Sequence, residues 1–345
     1  MSQEQPGPMG VERPLAALAM MPGVDQQLLT ENARRDLAEV VELVDESVVD
    51  LATLPDEQLG SIEIVLGSWG CNVLDDALLT RMPKLRFLAY AAGSVKRTVT
   101  PATWDRGVVV SSAAAANAVP VAEFAFAAVV MLAKDVFRTR DALRETRGRA
   151  ATTGVGPRGE LGTRGMRVGL VGASTIGRLL IERLATLDVT VAVADPYLDE
   201  DDARELGVTR MQLDELFAWS DIVSLHAPEL PSTRHLVDAD RLAEMHDGAW
   251  LLNTARGSLV DTDALTRECV AGRLNAFIDT SDPEPLPEES PLYDLSNVIL
   301  TPHIAGSLGS ELSRMGDLAV SEIARFVAGR ALQHEVRADD LDRIA

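Results

Sequence analysis

The stretch Val168-Gly169-Leu170-Val171-Gly172-Ala173-Ser174-Thr175-Ile176-Gly177-Arg178-Leu179-Leu180-Ile181 decides how this chain is read. A short apolar run ends in a glycine turn. A helix pattern starts at once, with Ile176, Leu179, Leu180 and Leu184 at i, i+3, i+4 and i+8. A second apolar run, Val189 to Ala194, is closed by Asp195. Strand, tight turn, helix, strand and acid form the layout of a dinucleotide-binding βαβ unit. The usual fingerprint is G-x-G-x-x-G. Here it reads Gly172-Ala173-Ser174-Thr175-Ile176-Gly177, with Ser174 in the middle glycine's place.

Working outward, 345 residues suggest two domains, and 46% hydrophobic content is ample for packed cores. The formal net charge is −21, and only three of the 32 basic residues are lysines (Lys84, Lys96, Lys134). So acidic a surface opposes binding to nucleic acid or to anionic membranes, because phosphate contacts need a basic footprint. Cys71 and Cys269 make neither a CxxC pair nor a disulfide framework, and no His, Asp and Cys share metal-ligand spacing. Met1 to Arg13 has no apolar core of a secretory signal and reads as a frayed tail. The longest apolar stretch, Ala118 to Ala133, holds Pro120 and Glu123 and reads as too short to span a bilayer. The expectation is a cytoplasmic protein.

The chain in order predicts strands at Pro14–Met21, Val40–Val44, Ile62–Leu66, Leu85–Tyr90 and Val108–Ser111. Helices are expected at Asp25–Leu37 and Val73–Arg81. A long helix follows from Val121 to about Arg147, apolar in its first half and charged in its second, then a Gly- and Thr-rich linker from Thr152 to Gly165. Beyond Asp195, helices at Leu213–Trp219, Ala239–Met245 and Thr262–Ala271 alternate with strands at Ile222–Leu225, Ala249–Leu252, Asn275–Ile278 and Val298–Leu300. The last helix, Ser310–Ala328, carries Leu312, Met315, Ala319, Ile323 and Phe326 on one face. Alternating strands and helices predict two α/β domains with parallel, doubly wound sheets, the second of six or seven strands.

Ligands of such sheets sit at the carboxyl ends of the strands. Four loops occupy that edge: the glycine turn, Asn253 to Gly257, Asp279 to Glu284, and Thr301 to Gly306. They can bring Arg256, Glu284 and His303 to one rim. An arginine forks onto a carboxylate or a carbonyl oxygen. A histidine passes a proton near neutral pH. A carboxylate can hold an imidazole upright and favour its charged form. The duller reading makes these residues an ion-pair partner, a solvated acid and a helix cap.

Four stretches in register decide between the two. They are the glycine turn with Asp195, then Ser224-Leu225-His226-Ala227-Pro228, then Asn253-Thr254-Ala255-Arg256-Gly257-Ser258-Leu259-Val260-Asp261, and then Asp282-Pro283-Glu284-Pro285-Leu286-Pro287 leading to Thr301-Pro302-His303-Ile304-Ala305-Gly306. From about Leu85 onward the chain resembles the D-isomer-specific 2-hydroxyacid dehydrogenase family. The resemblance implies a substrate-binding domain of residues 1–117 and 309–345, an NAD-binding Rossmann domain of residues 118–308, a cleft between them, and a homodimer through the NAD-binding domain. It implies interconversion of a small 2-keto acid and a D-2-hydroxy acid by hydride transfer with NADH. Arg256 would bind and polarise the substrate, His303 would give or take the proton, and Glu284 would support His303. The cofactor-binding set it implies is Gly172, Ser174, Thr175, Ile176, Asp195, His226, Ala227, Pro228, Thr254, Ala255, Asp279, His303 and Gly306. Asp195 would bind the ribose hydroxyls and repel a 2′-phosphate, which disfavours NADP. His226 reads as structural or cofactor-contacting, not as a proton donor, and Asp279 as a neighbour of the nicotinamide ribose or carboxamide.

The substrate carboxylate would rest on the backbone N–H groups of Ala92, Gly93, Ser94 and Val95, beside Arg256, with Ser68 and Trp69 against the substrate's side chain. Where the family often continues with an aspartate, Lys96 and Arg97 follow here. They are either solvated residues at a helix start or cations that draw in anionic substrates. Two further functions share the scaffold. Formate oxidation usually pairs the histidine with glutamine, and Glu284 stands here instead. An NAD-sensing, corepressor-like binding protein remains compatible with the same residues.

Overall fold

In a computed structural model, which describes residues 13–147 and 161–341, the chain forms two compact units. One comprises the chain up to Asn117 together with Gly309–Leu341, and the other comprises Ala118–Leu308. Most of the Thr152–Gly165 linker and nearly all of the N-terminal tail lie outside the described residues.

The first unit is built on a five-stranded parallel sheet. Its strands are β1 (Leu15–Ala19), β2 (Glu42–Leu43), β3 (Ile64–Gly67), β4 (Phe87–Tyr90) and β5 (Val109–Ser112), in the order β2-β1-β3-β4-β5. The inner strands are buried along their whole length, which explains why their sequences are continuous apolar runs and not alternating patterns. The segment expected as one helix from Asp25 to Leu37 is two helices, Val24–Leu28 and Glu31–Val40. Thr30 separates them, and its hydroxyl caps the second by accepting from the Ala33 N–H at 3.1 Å. The C-terminal helix Leu312–Val327 closes the core with Met315, Ala319 and Ile323, and Phe326 stacks on Phe87 at 4.5 Å between centroids. After it the chain returns antiparallel along β5, where the Val336 N–H donates to the Val110 carbonyl.

The second unit carries seven parallel strands: β6 (Arg167–Val171), β7 (Thr190–Ala194), β8 (Thr209–Arg210), β9 (Ile222–Leu225), β10 (Trp250–Asn253), β11 (Asn275–Ile278) and β12 (Val298–Leu300). Their order is β12-β11-β10-β9-β6-β7-β8. The chain winds one way from β6 and the other way from β9, so the switch point of this doubly wound sheet lies between those two strands.

The long helix differs from expectation at both ends. It begins at Ala114, runs through Pro120, and stops at Ala133. Asp135 then takes a left-handed conformation (φ 51°) and a separate helix runs from Val136 to Thr146. The break is held by one tertiary bond, in which the Gly162 N–H donates to the Ala133 carbonyl at 2.7 Å, and by the local pair of Asp135 with Arg138 at 2.7 Å. At 20 residues the first helix is long and apolar enough to cross a membrane, contrary to the expectation from Ala118–Ala133. Its packing identifies it as a core helix, for Ala125, Ala128, Val129 and Leu132 are buried against β6, β7 and the helix Thr175–Leu184.

Gly316 shows how closely the first unit is packed. A Cβ there would lie 1.9 Å from the Leu28 carbonyl oxygen. Gly316→Ala should therefore cost about 1–3 kcal/mol, as other overpacking does, and lower the thermal midpoint by several degrees in a calorimetric scan. An unchanged midpoint would show that the two helices can part freely.

Candidate active site

Strand register builds the site. Leu300 pairs with Ile278, Ile278 with Asn253, Asn253 with Leu225, Leu225 with Val171, and Val171 with Ala194. This single row crosses the second unit's sheet. The next residue on each strand therefore leaves the sheet at the same edge: Thr301, Asp279, Thr254, His226, Gly172 and Asp195.

At the switch point the glycine turn is pressed against the loop after β9. Gly172 has φ 105°, and a Cβ on it would meet backbone atoms of His226 and Ala227 at 2.9 Å. Gly177 is equally confined, since its Cβ would lie 2.3 Å from the Gly172 carbonyl oxygen. Ser174 is not. It sits at the helix N-cap with φ −61°, and its hydroxyl accepts from the Gly177 N–H at 3.3 Å. The two outer glycines answer steric demands that the middle position does not make. The Ser174 hydroxyl hydrogen also remains able to donate to a phosphate at the helix N-terminus. Asp195 accepts from the Ala173 and Tyr197 N–H groups, both at 2.7 Å, and its oxygens keep lone pairs for ribose hydroxyls. Arg178 donates to the Ala173 carbonyl and to Asp202, as a surface residue does.

Two buried polar atoms here have no protein partner among the described residues, His226 Nδ1 and Thr254 Oγ1. Such atoms are rare in folded proteins unless a ligand or water completes them. Together with the glycine turn and Asp195 they fit a bound dinucleotide. His226 is fully enclosed, its Nε2 lies 2.8 Å from Ser224 Oγ, and burial pushes its pKa down to about 4. It is therefore a neutral imidazole at neutral pH and no source of protons.

The three loops after β10, β11 and β12 are tied together by side chains. Asn253 Nδ2 donates to the Arg256 carbonyl at 2.9 Å and to the Thr280 carbonyl at 3.3 Å, while its Oδ1 accepts from the Ala255 N–H at 3.0 Å. Gly257 touches the next loop so closely that a Cβ would lie 2.0 Å from the Ser281 carbonyl carbon. Arg256 Nη1 donates to the Ala255 carbonyl at 2.6 Å. Asp279 is buried, and it accepts from Thr301 Oγ1 at 2.6 Å, the Ile304 N–H at 2.8 Å and the Ala305 N–H at 2.9 Å. The Asp279 carbonyl accepts the His303 N–H at 3.0 Å, and His303 itself is left-handed (φ 55°). So held, His303 Nδ1 meets Glu284 Oε1 at 2.8 Å, with both side chains nearly half exposed. The structure thus joins Glu284 and His303 directly and sets Arg256 on the neighbouring strand end. Its carboxylate thus holds the loop that carries His303.

The remaining expected residues lie in the first unit, where Ala19, Gly67, Tyr90 and Ser112 form a second aligned row. Ser68 follows that row and is fully buried, its hydroxyl donating to the Ala91 carbonyl at 2.9 Å. This corrects the expectation that it faces a substrate. Trp69, by contrast, is 36% exposed. The Ser112 hydroxyl engages the Gly93 carbonyl at 2.6 Å and the Ala92 carbonyl at 3.3 Å. With these carbonyls anchored inward, the N–H groups of Gly93, Ser94 and Val95 have no protein acceptor among the described residues. Successive free N–H groups of this kind make an anion-binding concavity.

Residues 126–305 match the family described as D-isomer specific 2-hydroxyacid dehydrogenase, NAD binding domain. The chain is 32% identical over 260 residues to the D-3-phosphoglycerate dehydrogenase of Mycobacterium tuberculosis, covering 75% of this chain and 48% of that protein. It thus spans about half the length of that relative. It is 33% identical over 260 residues to the glyoxylate reductase of Korarchaeum cryptofilum, covering 74% of this chain and 77% of that one. Among solved structures it resembles a phosphoglycerate oxidoreductase from Rhizobium etli with TM-score 0.79 and 25% identity, over 95% of this chain and 99% of the other.

Two predictions come from the buried polar groups. The pKa of His226 is depressed from 6.5 to about 4, so the unfolded chain takes up the proton first as pH falls. Folding stability is complete above pH 6.5 and should fall by about 3 kcal/mol between there and pH 4. Urea unfolding across that range should show a shallower pH dependence in His226→Gln. Asp279→Asn sets an amide N–H2 against backbone N–H groups and should destabilise by roughly 1–3 kcal/mol in the same assay. Wild-type stability in that variant would mean the loop is held by other contacts.

Proposed function

The chain belongs to the D-isomer-specific 2-hydroxyacid dehydrogenase family, and from that premise we propose that it interconverts a small 2-keto acid and the corresponding D-2-hydroxy acid with NAD as hydride carrier. The observation that carries the reading is the 2.8 Å contact between His303 Nδ1 and Glu284 Oε1, at the same strand-end edge as the glycine turn.

NAD, when bound, gives or receives the hydride at the substrate's C2. The turn Gly172–Gly177 and the N-cap Ser174 would hold its phosphates, Asp195 its adenosine ribose, and His226 and Thr254 would complete the site. The negative charge on Asp195 favours NAD over NADP. Because Glu284 occupies Nδ1 of His303, the proton that moves to or from the substrate oxygen is the one on Nε2. Arg256 polarises the carbonyl and grips the carboxylate in the fork geometry of a guanidinium. Placing fixed charges where the oxygen becomes negative is the kind of stabilisation that supplies most of an enzyme's acceleration.

Steady-state oxidation of NADH over a panel of 2-keto acids, with formate as control, tests the reading. Turnover with a keto acid, absent with formate, is expected. His303→Ala should lower kcat by about a hundredfold to ten-thousandfold, the usual contribution of a general acid. Activity within about tenfold of wild type would remove the assigned role. Tight NADH binding without turnover of any keto acid would point to an NAD-sensing binding protein on the same scaffold.

A further inference from the structure

The segment that follows β9 reaches from the glycine turn to the two loops that carry Arg256 and Glu284. It leaves the sheet at His226, beside Gly172, and passes through a single 3-10 turn at Pro231–Thr233. Thr233 fixes that turn from within. Its hydroxyl accepts from the Leu230 N–H at 2.9 Å and donates to the Pro228 carbonyl at 2.7 Å. His235 then takes a left-handed conformation (φ 50°), and its N–H donates to the Ser258 carbonyl at 2.9 Å. Val237, which is buried, forms a parallel bridge with Val260: its N–H donates to the Leu259 carbonyl at 2.8 Å, and its carbonyl accepts from the Asp261 N–H at 2.9 Å. The segment is thus docked on the loop after β10 by its backbone.

Two of its side chains reach further. Glu229 Oε1 accepts from Ser258 Oγ at 2.7 Å, and Arg234 Nη1 lies 3.3 Å from Asp282 Oδ2. Ser258 is two residues after Arg256, and Asp282 is two residues before Glu284. One contact therefore falls on each loop that carries a chemically active group, at a matched distance along the chain. The two loops already touch where Gly257 meets Ser281, and the segment after β9 ties both from outside. Glu229 and Arg234 are themselves exposed. Surface pairs of this kind add only about 0–1 kcal/mol each to folding, so the fold does not depend on them. Reaction geometry is more demanding, because a misplacement of about 1 Å can cost about a hundredfold in rate. A site keeps its geometry through the residues that hold its loops.

We infer that Glu229 and Arg234 are positioning residues. They brace the loops of Arg256 and Glu284 from the segment after β9, and so set the arginine and the His303–Glu284 pair toward one substrate. The inference rests on the 2-keto acid reading above and deepens it.

The test is single-turnover oxidation of NADH by the 2-keto acid that the panel above turns over fastest, which keeps product release from hiding the effect. Glu229→Ala/Arg234→Ala should lower the rate at saturating substrate by about tenfold to a hundredfold. KM for the keto acid and the NADH dissociation constant should stay within about threefold of wild type, and the thermal midpoint within a few degrees. Glu229→Gln/Arg234→Lys keeps an acceptor for Ser258 and a cation for Asp282, and should restore most of the rate. Ser258→Ala should cost as much as Glu229→Ala, and the two combined no more than either alone. A rate within about twofold of wild type in the double alanine variant overturns this inference alone. So does a loss confined to KM or to NADH binding, a loss that tracks a lowered thermal midpoint, or full additivity of Glu229→Ala and Ser258→Ala. Failure of the wild type to reduce any 2-keto acid overturns the functional reading and this inference with it.

Discussion

The Asp279 carboxylate has lost its water, and a buried carboxylate is stable only when hydrogen bonds replace that hydration. Its donors are Thr301 Oγ1 and the N–H groups of Ile304 and Ala305. They flank His303 on the loop after β12. The desolvation penalty of Asp279 is therefore also the force that fixes this loop. His303 needs such a force, because a non-glycine residue at φ 55° stands about 1–2 kcal/mol above its relaxed state. Asn253 acts in parallel one strand over, tying the Arg256 loop to Thr280. Three strand ends become one polar network, and His303 and Glu284 are held at its exposed face.

The same edge explains the glycine turn. Gly172 and Gly177 are fixed by contacts under 3 Å that any side chain would violate. Both contacts are made by backbone at the switch point, where the loops after β6 and β9 crowd together. Ser174 stands one step outside that crowding and has ordinary dihedral angles. A serine there loses nothing sterically and gains a cap for the helix. The missing middle glycine is thus a local exchange of one helix-terminal function for another.

Much of this was legible in the residues. Short apolar runs closed by polar residues located six of the second unit's seven strands almost to the residue, the two-residue β8 excepted, because buried parallel strands leave little room for any other composition. The contact between Glu284 and His303 was legible as two motifs in register. What escaped was the direction of individual polar side chains. Ser68 follows a buried strand, as a ligand-binding residue would, but turns inward to bind a neighbouring loop. That choice depends on which strand lies alongside, and periodicity within one segment carries no such information. The break at Asp135 escaped for the same reason, since its stabilising donor is the Gly162 N–H, 29 residues after Ala133 in sequence, with the apolar pattern running through unbroken.

Strand order also decides which histidine at this edge keeps contact with solvent. β9 lies in the middle of the sheet, between β6 and β10, so the residue that follows it is enclosed by the glycine turn on one side and the Thr254 loop on the other. His226 takes that position, loses its hydration, and stays neutral. β12 is the sheet's edge strand, so the loop after it has a neighbour on one side only. His303 takes that position and keeps nearly half of its side chain in solvent, with a carboxylate on Nδ1. Two imidazoles of the same chemistry thus receive opposite surroundings from their place in one sheet. A ring that passes protons must be able to change charge, and the enclosed position of His226 opposes that.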